Sequence, residues 1–437
     1  MNIVQITPGA GGMYCGNCFR DNALVGGLRR LGHSTLMVPL YLPLTLDEPD
    51  NSAGTPAFFN GVNVYLEQKS ALFRQAPHWL HEALASPKLL KWASARAGRT
   101  RAADLGEITL SVLQGEEGNQ ARELEELLAW LKLQPKPDII FVSNALMIGL
   151  VRRLKSELCA PVVCMLQGED TFLDALPESH RAACWKTVTA RAAEADLFIA
   201  PSRYFGDRMR ARLGLRAESV RVIHNGISLE GYPPPSSTEF RDVKSATPIL
   251  GFFARMCHEK GLDLLVDAYV LVRERNRIPE LKLRVGGGCG PADEPFVEAQ
   301  RRKLQAAGVL GDVEFFPNLT RQAKIEFLRS LTLMSTPALY GEAFGLYVIE
   351  AMAAGVPVVQ PRHAAFPELI EATGGGIICE PTPGGLAQTI EHMLHDPIAL
   401  GSLAEAGRRA VFQKFSAEQM SEEYERVCLE MCGKSGP

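Results

Sequence analysis

The hydrophobic positions of the chain follow two alternating patterns. Short runs rich in Val, Ile and Phe, typical of buried strands, are separated by segments with the 3.6-residue period of amphipathic helices. Strand–helix alternation at this spacing indicates parallel sheets that are covered by helices on both faces. The sequence therefore predicts an α/β protein with two doubly wound domains. The predicted strands are NIVQIT, HSTLMVPLY, VNVYLE, DIIFVSN, PVVCMLQG, DLFIAPS and RVIHNG in the first series, and PILGFFAR, LKLRVGG, VEFFPN, LTLMSTPA, VPVVQP and GGGIICEP in the second.

A proline-rich stretch, GYPPPSSTEFRDVKSATP, separates the two series. Three consecutive prolines and paired serines disfavour a helix and are typical of a semi-stiff linker. We expect an N-terminal Rossmann-like domain over residues 1–232, a linker over 233–247 and a C-terminal Rossmann-like domain over 248–413. The last segment, 414–437, predicts an amphipathic helix that crosses back to the N-terminal domain.

The second series carries its most informative motif at LYGEAFGLYVIEAMAAG. Ligands of open parallel sheets bind beyond the carboxyl ends of the strands, so two such domains predict a central cleft lined by strand-to-helix turns. Glu342 lies in one such turn, and the N–H groups of Phe344, Gly345 and Leu346 open the following helix, where they suit phosphate or sugar oxygens. Glu350 lies in the second turn and leans toward the helix start, where its carboxylate suits a vicinal diol such as ribose.

Two cations precede this motif in the chain. Arg255 ends the predicted strand PILGFFAR, and Lys260 stands before Gly261 at the start of the next helix. A forked guanidinium and a mobile ammonium that converge on one strand-to-helix turn fit a diphosphate. The alternative, a solvated surface pair, makes them weak evidence on their own.

Together these elements resemble the group 1 retaining glycosyltransferases of the GT-B fold. The resemblance rests on Arg255, on Lys260 with Gly261, on the glycines of VGGGCG and on GEAFGLYVIEAMAAGVPVV. In the first half it rests on LRRLGH, APSRYFGDRMRARLGL and VRVIHNGISLE. It covers nearly the whole chain except residues 45–130, and its most specific element is the pair of glutamates eight residues apart.

The resemblance implies a hexosyltransferase that moves a sugar from a nucleotide-diphosphate sugar to an acceptor hydroxyl with retention. Glu350 then holds the ribose, Glu342 the donor sugar, and Arg255 with Lys260 the diphosphate. Asn318 matches the position that edges the base. No cofactor is implied, and the acceptor, whether glycan, lipid or small molecule, stays open. The glycines expected at the donor are Gly11, Gly12 and Gly288.

Other functions of the same fold remain as alternatives. A sugar-nucleotide epimerase would alter the donor without an acceptor, and a non-catalytic sugar-nucleotide-binding protein would bind the donor without releasing nucleotide diphosphate.

On the acceptor side the chain departs from the family. Many relatives have His-Gly where this chain has Gln167-Gly168, so no imidazole can titrate at this position. Gln167 can still form hydrogen bonds with a sugar hydroxyl. The candidate catalytic residues are therefore Gln167, Glu342, Arg255 and Lys260. Further candidates for the acceptor are Glu169 and Asp170 in the same turn, and Arg20 and Asp21, which we expect on the first turn of the first helix.

The segment GGMYCGNCFRDN leaves three interpretations open. Cys15 and Cys18 have the spacing of a redox dithiol at a helix start, or of half a metal site shared with Cys428 and Cys432. The third interpretation is an enlarged glycine turn in which Gly11 and Gly12 let the backbone approach the donor and the cysteines are structural. We favour the third, and we expect no metal.

The composition of the chain limits the classes of binding partner that we expect. A net charge of −4 and a pI near 6.2 argue against a general nucleic-acid binder. No run approaches about 18 apolar residues, and MNIVQITPG lacks a basic leader region, so we expect a cytoplasmic protein. The irregular segment 45–130 includes a basic run over 86–101 that would suit peripheral contact with an anionic membrane, or simply a solvated helix face.

Overall fold

The computed structural model describes residues 1–9, 15–59, 64, 66–68, 102–235 and 247–433. They divide into two units: an N-terminal unit made of Met1–His224 with Met420–Pro437, and a C-terminal unit made of Asn225–Gln419. Gly11, Gly12, the basic run 86–101 and nearly all of the expected linker lie outside the described residues. Within the described part, no helix is both long and apolar enough to cross a membrane.

The N-terminal unit is built on a parallel six-stranded sheet in the order β2-β1-β3-β4-β5-β6. Its central strands are short, continuous apolar runs that are buried along their whole length, as expected when helices cover both faces. Ile3 pairs with Thr35 on one side and Ile139 on the other, which places β1 between β2 and β3. The strands are β1 Asn2–Thr7, β2 Ser34–Pro39, β3 Ile139–Val142, β4 Val162–Met165, β5 Leu197–Ala200 and β6 Val220–Val222.

Seven α-helices between β1 and β6, together with the last helix of the chain, belong to this unit in the described residues, and 3-10 turns lie at Gly115–Glu117, Ala145–Leu150 and Ala217–Ser219. Helix ends follow local chemistry; for example, the Ser202 hydroxyl accepts from the Phe205 N–H at 3.1 Å, and Gly214 in the left-handed region ends the same helix. The helices are α1 Gly16–Arg30, α2 Ala102–Gln114, α3 Ala121–Lys132, α4 Val151–Leu158, α5 Glu169–Asp174, α6 Glu178–Ala192 and α7 Arg203–Leu213.

One predicted strand is wrong. In VNVYLE, residues 62–67, the described positions Val64, Leu66 and Glu67 are helical. Alternating β-branched residues favour a strand only where cross-strand neighbours exist, so tertiary context overrides the pattern here.

The C-terminal unit repeats the architecture with a parallel sheet in the order β12-β11-β10-β7-β8-β9. Its core joins Leu250 and Phe252 of the central strand with Leu283, Val285 and the helical Val348. The strands are β7 Ile249–Phe253, β8 Lys282–Gly287, β9 Val313–Pro317, β10 Leu333–Met334, β11 Val358–Pro361 and β12 Gly376–Cys379. The helices are α8 Leu262–Arg275, α9 Glu294–Ala306, α10 Arg321–Arg329, α11 Leu346–Ala353, α12 Phe366–Thr373, α13 Pro383–Leu394 and α14 Pro397–Lys414, with 3-10 turns at His258–Lys260 and Leu310–Asp312. The last helix of the chain, α15 Ala417–Met431, belongs to the N-terminal unit from Met420 onward.

The strand order of the C-terminal sheet fixes where a ligand fits. The chain runs outward from β7 through β8 to β9, then returns to the other side of β7 as β10. The crevice at the carboxyl ends of β7 and β10 is therefore a topological switch point, the place where open α/β sheets bind ligands.

Candidate functional site

The turn after β10 leads directly into α11 and carries the first glutamate of the motif. Gly345, the residue before the helix, has φ +96°, a conformation that glycine adopts without strain. This turn lets the first N–H groups of α11, beginning at Leu346, open toward the carboxyl edge of the sheet. The Phe344 side chain is buried and its ring lies 6.2 Å from that of Phe415, so only its backbone is available to a ligand.

Glu342 is the centre of a charged cluster. Its Oε2 atom accepts from Lys260 Nζ at 2.6 Å, from Tyr347 OH at 2.8 Å and from Tyr340 OH at 3.0 Å. Burial by itself raises the pKa of this carboxyl, but the Lys260 ammonium and the two hydroxyls outweigh burial and hold the pKa below its ordinary value. The carboxylate is therefore ionised at neutral pH, held by donors that are already oriented.

Lys260 reaches this cluster from the turn after β7. It ends the 3-10 turn His258–Lys260, and Gly261 with φ +74° redirects the chain into α8. Its ammonium also contacts Tyr340 OH and lies 4.8 Å from the centre of the Tyr340 ring and 5.3 Å from that of Tyr347. Two aromatic faces and one carboxylate thus fix the position of the ammonium at the switch point.

Arg255 lies two residues beyond the end of β7 and forms a forked pair with Asp293. Its Nη2 and Nε atoms lie 2.8 Å and 3.0 Å from Asp293 Oδ1, and Asp293 Oδ2 also accepts from the Gly290 N–H at 3.0 Å. The Arg255 side chain is still 55% exposed. Asp293 therefore orients the guanidinium while leaving part of it open to an anion.

Glu350 lies on α11, one turn beyond the helix start, and pairs with Lys324 of α10. The Lys324 Nζ to Glu350 Oε1 distance is 2.8 Å, and their side chains are only 9% and 16% exposed. The second glutamate of the motif is thus held by a cation of its own, separate from Lys260.

Asn318 lies at the end of β9, with φ +55°. Its side-chain amide donates to the Cys289 carbonyl at 2.9 Å and accepts from the Cys289 N–H at 3.0 Å. Both polar atoms of the amide are therefore hydrogen-bonded to the loop that contains Gly288. The Gly288 carbonyl accepts from the Met256 N–H at 2.8 Å. The expected contact of Asn318 with a base stays a prediction.

In the N-terminal unit the turn after β4 brings Gln167, Glu169 and Asp170 together. Glu169 Oε2 accepts from the Gln167 N–H at 2.6 Å, and Oε1 accepts from the Ala145 N–H at 3.3 Å. Burial raises the pKa of the Glu169 carboxyl to about 7, against the effect of these N–H groups. The buried Asp170 pairs with Arg208 Nε at 2.5 Å. Gln167 is partly exposed, whereas both carboxylates are held inside the unit.

The expected position of Arg20 and Asp21 is wrong. Helix α1 begins at Gly16, so both residues lie in its second turn rather than its first. Their side chains are fully buried and form an ion pair at 2.6 Å, with Thr7 Oγ1 donating to Asp21 at 2.5 Å. Arg20 also donates to the Ser143 carbonyl at 3.1 Å. The pair joins the ends of β1 and β3, and a direct role toward the acceptor stays an untested prediction.

Sequence reasoning missed four side chains that position the candidate site: Asp293, Lys324, Tyr340 and Tyr347. Tyr340 lies two residues before Glu342 and Tyr347 five residues after it, so their closeness to this carboxylate could have been inferred from the sequence. Asp293 and Lys324 gave no such signal, because their partners lie 38 and 26 residues away. Among the described residues, no cluster of three or more His, Cys, Asp or Glu side chains is arranged to hold a metal ion.

Comparison with known families covers both units. Residues 237–410 match the family described as "Glycosyl transferases group 1", and residues 59–230 match "Glycosyltransferase Family 4".

Curated relatives are distant and match in part. The D-inositol 3-phosphate glycosyltransferases of Mycolicibacterium smegmatis and Nocardiopsis dassonvillei are 26% and 27% identical over 224 residues. The matched regions cover 50% and 49% of this chain and 50% and 51% of those proteins. The chain thus spans about half the length of the curated relatives it matches.

Solved structures match over nearly the full length. Sucrose-phosphate synthase from Thermosynechococcus elongatus gives a TM-score of 0.70 at 17% identity, covering 100% of each chain. Anabaena HepE in complex with UDP and glucose gives 0.69 at 16% identity, covering 98% of this chain and 100% of that one. At these identities the likeness shows the fold. With both units matched by family models, the chain belongs to the group 1 glycosyltransferases and has the GT-B fold.

Proposed function

We propose that this glycosyltransferase moves a hexose, with retention of anomeric configuration, from a nucleotide-diphosphate sugar to an acceptor hydroxyl. The observation that carries the proposal is the cluster of Lys260, Glu342, Tyr340 and Tyr347 at the topological switch point of the C-terminal sheet. The half-exposed Arg255 belongs to the same connection between β7 and α8 as Lys260.

The diphosphate is assigned to the cationic part of this crevice. Arg255 and Lys260 supply positive charge, and the first N–H groups of α11 supply hydrogen-bond donors. The ribose is assigned to Glu350, whose carboxylate already accepts from Lys324 and retains its second oxygen for a hydroxyl. Glu342 accepts from the hydroxyls of the donor sugar.

The chemistry follows from charge development in this arrangement. As the bond between the anomeric carbon and the diphosphate breaks, negative charge grows on the leaving phosphate, where Arg255 and Lys260 stabilise it. The acceptor hydroxyl attacks from the same face, and its proton passes to the departing phosphate. Catalysis then rests on positioning and electrostatic stabilisation rather than on an enzymic nucleophile.

The acceptor is sought among polyols and phosphorylated polyols, because the curated relatives are named as D-inositol 3-phosphate glycosyltransferases. Gln167, which is partly exposed, is the side chain assigned to an acceptor hydroxyl in the N-terminal unit.

Nucleotide binding by two variants tests the donor site. A panel of UDP, GDP, ADP and TDP is first titrated by calorimetry, and the tightest binder is carried forward. Lys260→Ala and Glu350→Ala should each weaken its binding by about 10- to 100-fold, because each removes a charge-assisted contact worth about 1.5–3 kcal/mol.

A lysine in an exposed pair provides the matched control. Lys303→Ala breaks an ion pair with Asp267 whose side chains are 43% and 42% exposed, and it should leave the nucleotide affinity unchanged. Wild-type affinity in both Lys260→Ala and Glu350→Ala, with unfolding curves that show intact protein, would overturn the donor site.

Turnover separates the proposal from its alternatives. The protein is incubated with nucleotide sugars, with and without acceptors, and the products are followed by NMR. A new glycoside with the anomeric configuration of the donor is expected. Epimerised donor in the absence of acceptor would identify an epimerase instead, and an inverted product would contradict retention.

A further inference from the structure

Two cysteines stand at the start of α1, at the carboxyl end of β1. Cys15 is the residue immediately before the helix, with extended backbone at φ −123° and ψ 121°, and its carbonyl accepts the first helical bond, from the Phe19 N–H at 3.1 Å. Cys18 lies three residues later on the first turn. Both are free thiols; Cys15 is partly exposed and Cys18 is fully buried.

The two thiols are three residues apart at the start of α1, a spacing that places both on one face of the first turn, but their electrostatic surroundings differ. The Cys18 thiol lowers the pKa of Cys15 to about 7, against burial, and the backbone N–H groups of Cys18 and Asn17 act in the same direction as the thiol. The pKa of Cys18 is raised, chiefly by its interaction with Cys15 and then by burial. One cysteine is thus activated as a thiolate at a helix start, and the other is held as its proton-bearing partner.

In place of the structural role favoured from the sequence alone, we propose that Cys15 and Cys18 form a redox-active dithiol that exchanges with low-molecular-weight disulfides. Cys15, the accessible member, is the attacking thiol, and Cys18, the buried member, is the resolving thiol. This is a modification site separate from the proposed transfer reaction.

The exchange balances with glutathione disulfide as the oxidant. The Cys15 thiolate attacks one sulfur of glutathione disulfide, forms a mixed disulfide and releases one glutathione thiolate. Once Cys15 is bonded, it no longer holds the Cys18 proton, so the Cys18 thiol can ionise. Cys18 then attacks the Cys15 sulfur and expels the second glutathione. The pair loses two electrons and two protons, which leave on two glutathione thiols.

The second close cysteine pair of the chain lacks this arrangement. Cys428 is fully buried, and burial is the main cause that raises its pKa to about 12. The Cys432 thiol donates to the Asp138 carbonyl at 3.4 Å instead. The pair at the start of α1 is therefore the one arranged for thiol–disulfide exchange.

Peptide mapping after incubation with glutathione disulfide tests the proposal. In the wild-type protein we expect a disulfide joining Cys15 to Cys18. In Cys18→Ala the reaction should stop at a glutathione adduct on Cys15, because no resolving thiol remains. Cys159→Ser removes an exposed cysteine and should form the same disulfide as the wild type.

Alkylation kinetics supply a second readout on the same proteins. The rate at Cys15 should rise through a midpoint near pH 7 in the wild type and shift to higher pH in Cys18→Ala. Adducts confined to Cys159, Cys289 or Cys432, with Cys15 and Cys18 still reduced, would overturn the proposal. If Cys18→Ala fails to fold, the wild-type map alone decides. None of these measurements depends on a nucleotide sugar.

Discussion

Glu169 is a buried carboxyl through which the N-terminal unit should respond to pH, and burial raises the pKa of Asp21 in the same unit as well. Its pKa, about 7 when folded, exceeds the value of about 4.3 typical of an unfolded chain, so the folded unit binds this proton more tightly. Stability from Glu169 is therefore present at low pH and lost as pH rises from about 4.3 to about 7. We expect Glu169→Gln to remove this loss, worth about 3–4 kcal/mol. Urea unfolding, monitored by hydrogen exchange of β3 and β4, measures it.

The control for this titration is Glu178→Gln, at the start of α6, whose side chain is 80% exposed. Its unfolding free energy should follow that of the wild type across the same pH range. A Glu169→Gln variant that keeps the wild-type pH dependence would show that another group titrates.

For individual residues, the sequence identifies which side chains belong to the candidate site better than it identifies the side chains they contact. The motif around Glu342 and the cation Lys260 could be selected from local spacing, yet 82 residues separate them in the chain. Their contact depends on β7 and β10 being neighbours, which local patterns do not reveal. The burial of Arg20 and Asp21 was missed for a similar reason: a charged pair on a helix is expected at the surface unless its partners, here Thr7 and Ser143, are known.

At the scale of secondary-structure elements, a glycine tightly constrains the turn between β7 and α8. Gly261 has φ +74°, and a Cβ added there would lie 2.3 Å from the Pro337 carbonyl oxygen. Gly261→Ala should destabilise the C-terminal unit by about 3 kcal/mol or more, through backbone strain and this clash together. It should also weaken nucleotide binding, because Lys260 precedes it. Chemical unfolding and calorimetry measure the two effects.

Gly308 offers a matched substitution in the same unit. Its φ of +71° is nearly the same, but an added Cβ would meet nothing within 4 Å. Gly308→Ala should therefore cost only the backbone strain, about 1 kcal/mol, and leave nucleotide binding unchanged. Equal destabilisation by the two substitutions would show that the contact with Pro337 relaxes freely.

Strands could be predicted from the sequence wherever an uninterrupted run of apolar residues is buried on both faces of the sheet. Runs such as IIFV, VVCM and LFIA are strands because both faces are covered, and the length of such runs distinguishes them from helices. The segment around Val64 was misassigned because a short apolar run with alternation carries no information on its neighbours.

At the scale of the whole molecule, the sequence predicts two parallel sheets but not their strand order. β10 pairs with β7 rather than with β9, and this strand order depends on long-range pairs such as Leu333 with Leu250. This strand order creates the topological switch point on which the proposed donor site depends. The charged residues of the candidate site that lie in local motifs were thus predictable, whereas their distant partners Asp293 and Lys324, and the geometry of the site, depend on the topology.

The last helix, α15, also packs against a part of the chain that is distant in sequence. Tyr424 belongs to the N-terminal unit although it lies near the end of the chain; it is 1% exposed, and its ring lies 5.5 Å from that of Phe141 on β3. Tyr424→Ala should cost about 3–5 kcal/mol through the cavity it leaves. Hydrogen exchange should then accelerate in β1 and β3 but not in β7 or β8, because the Tyr424 ring packs within the N-terminal unit. Glu423→Ala, on the exposed side of the same helix, should leave both sheets at wild-type rates. Faster exchange in both sheets after Tyr424→Ala would instead show that the two units unfold together as one cooperative structure.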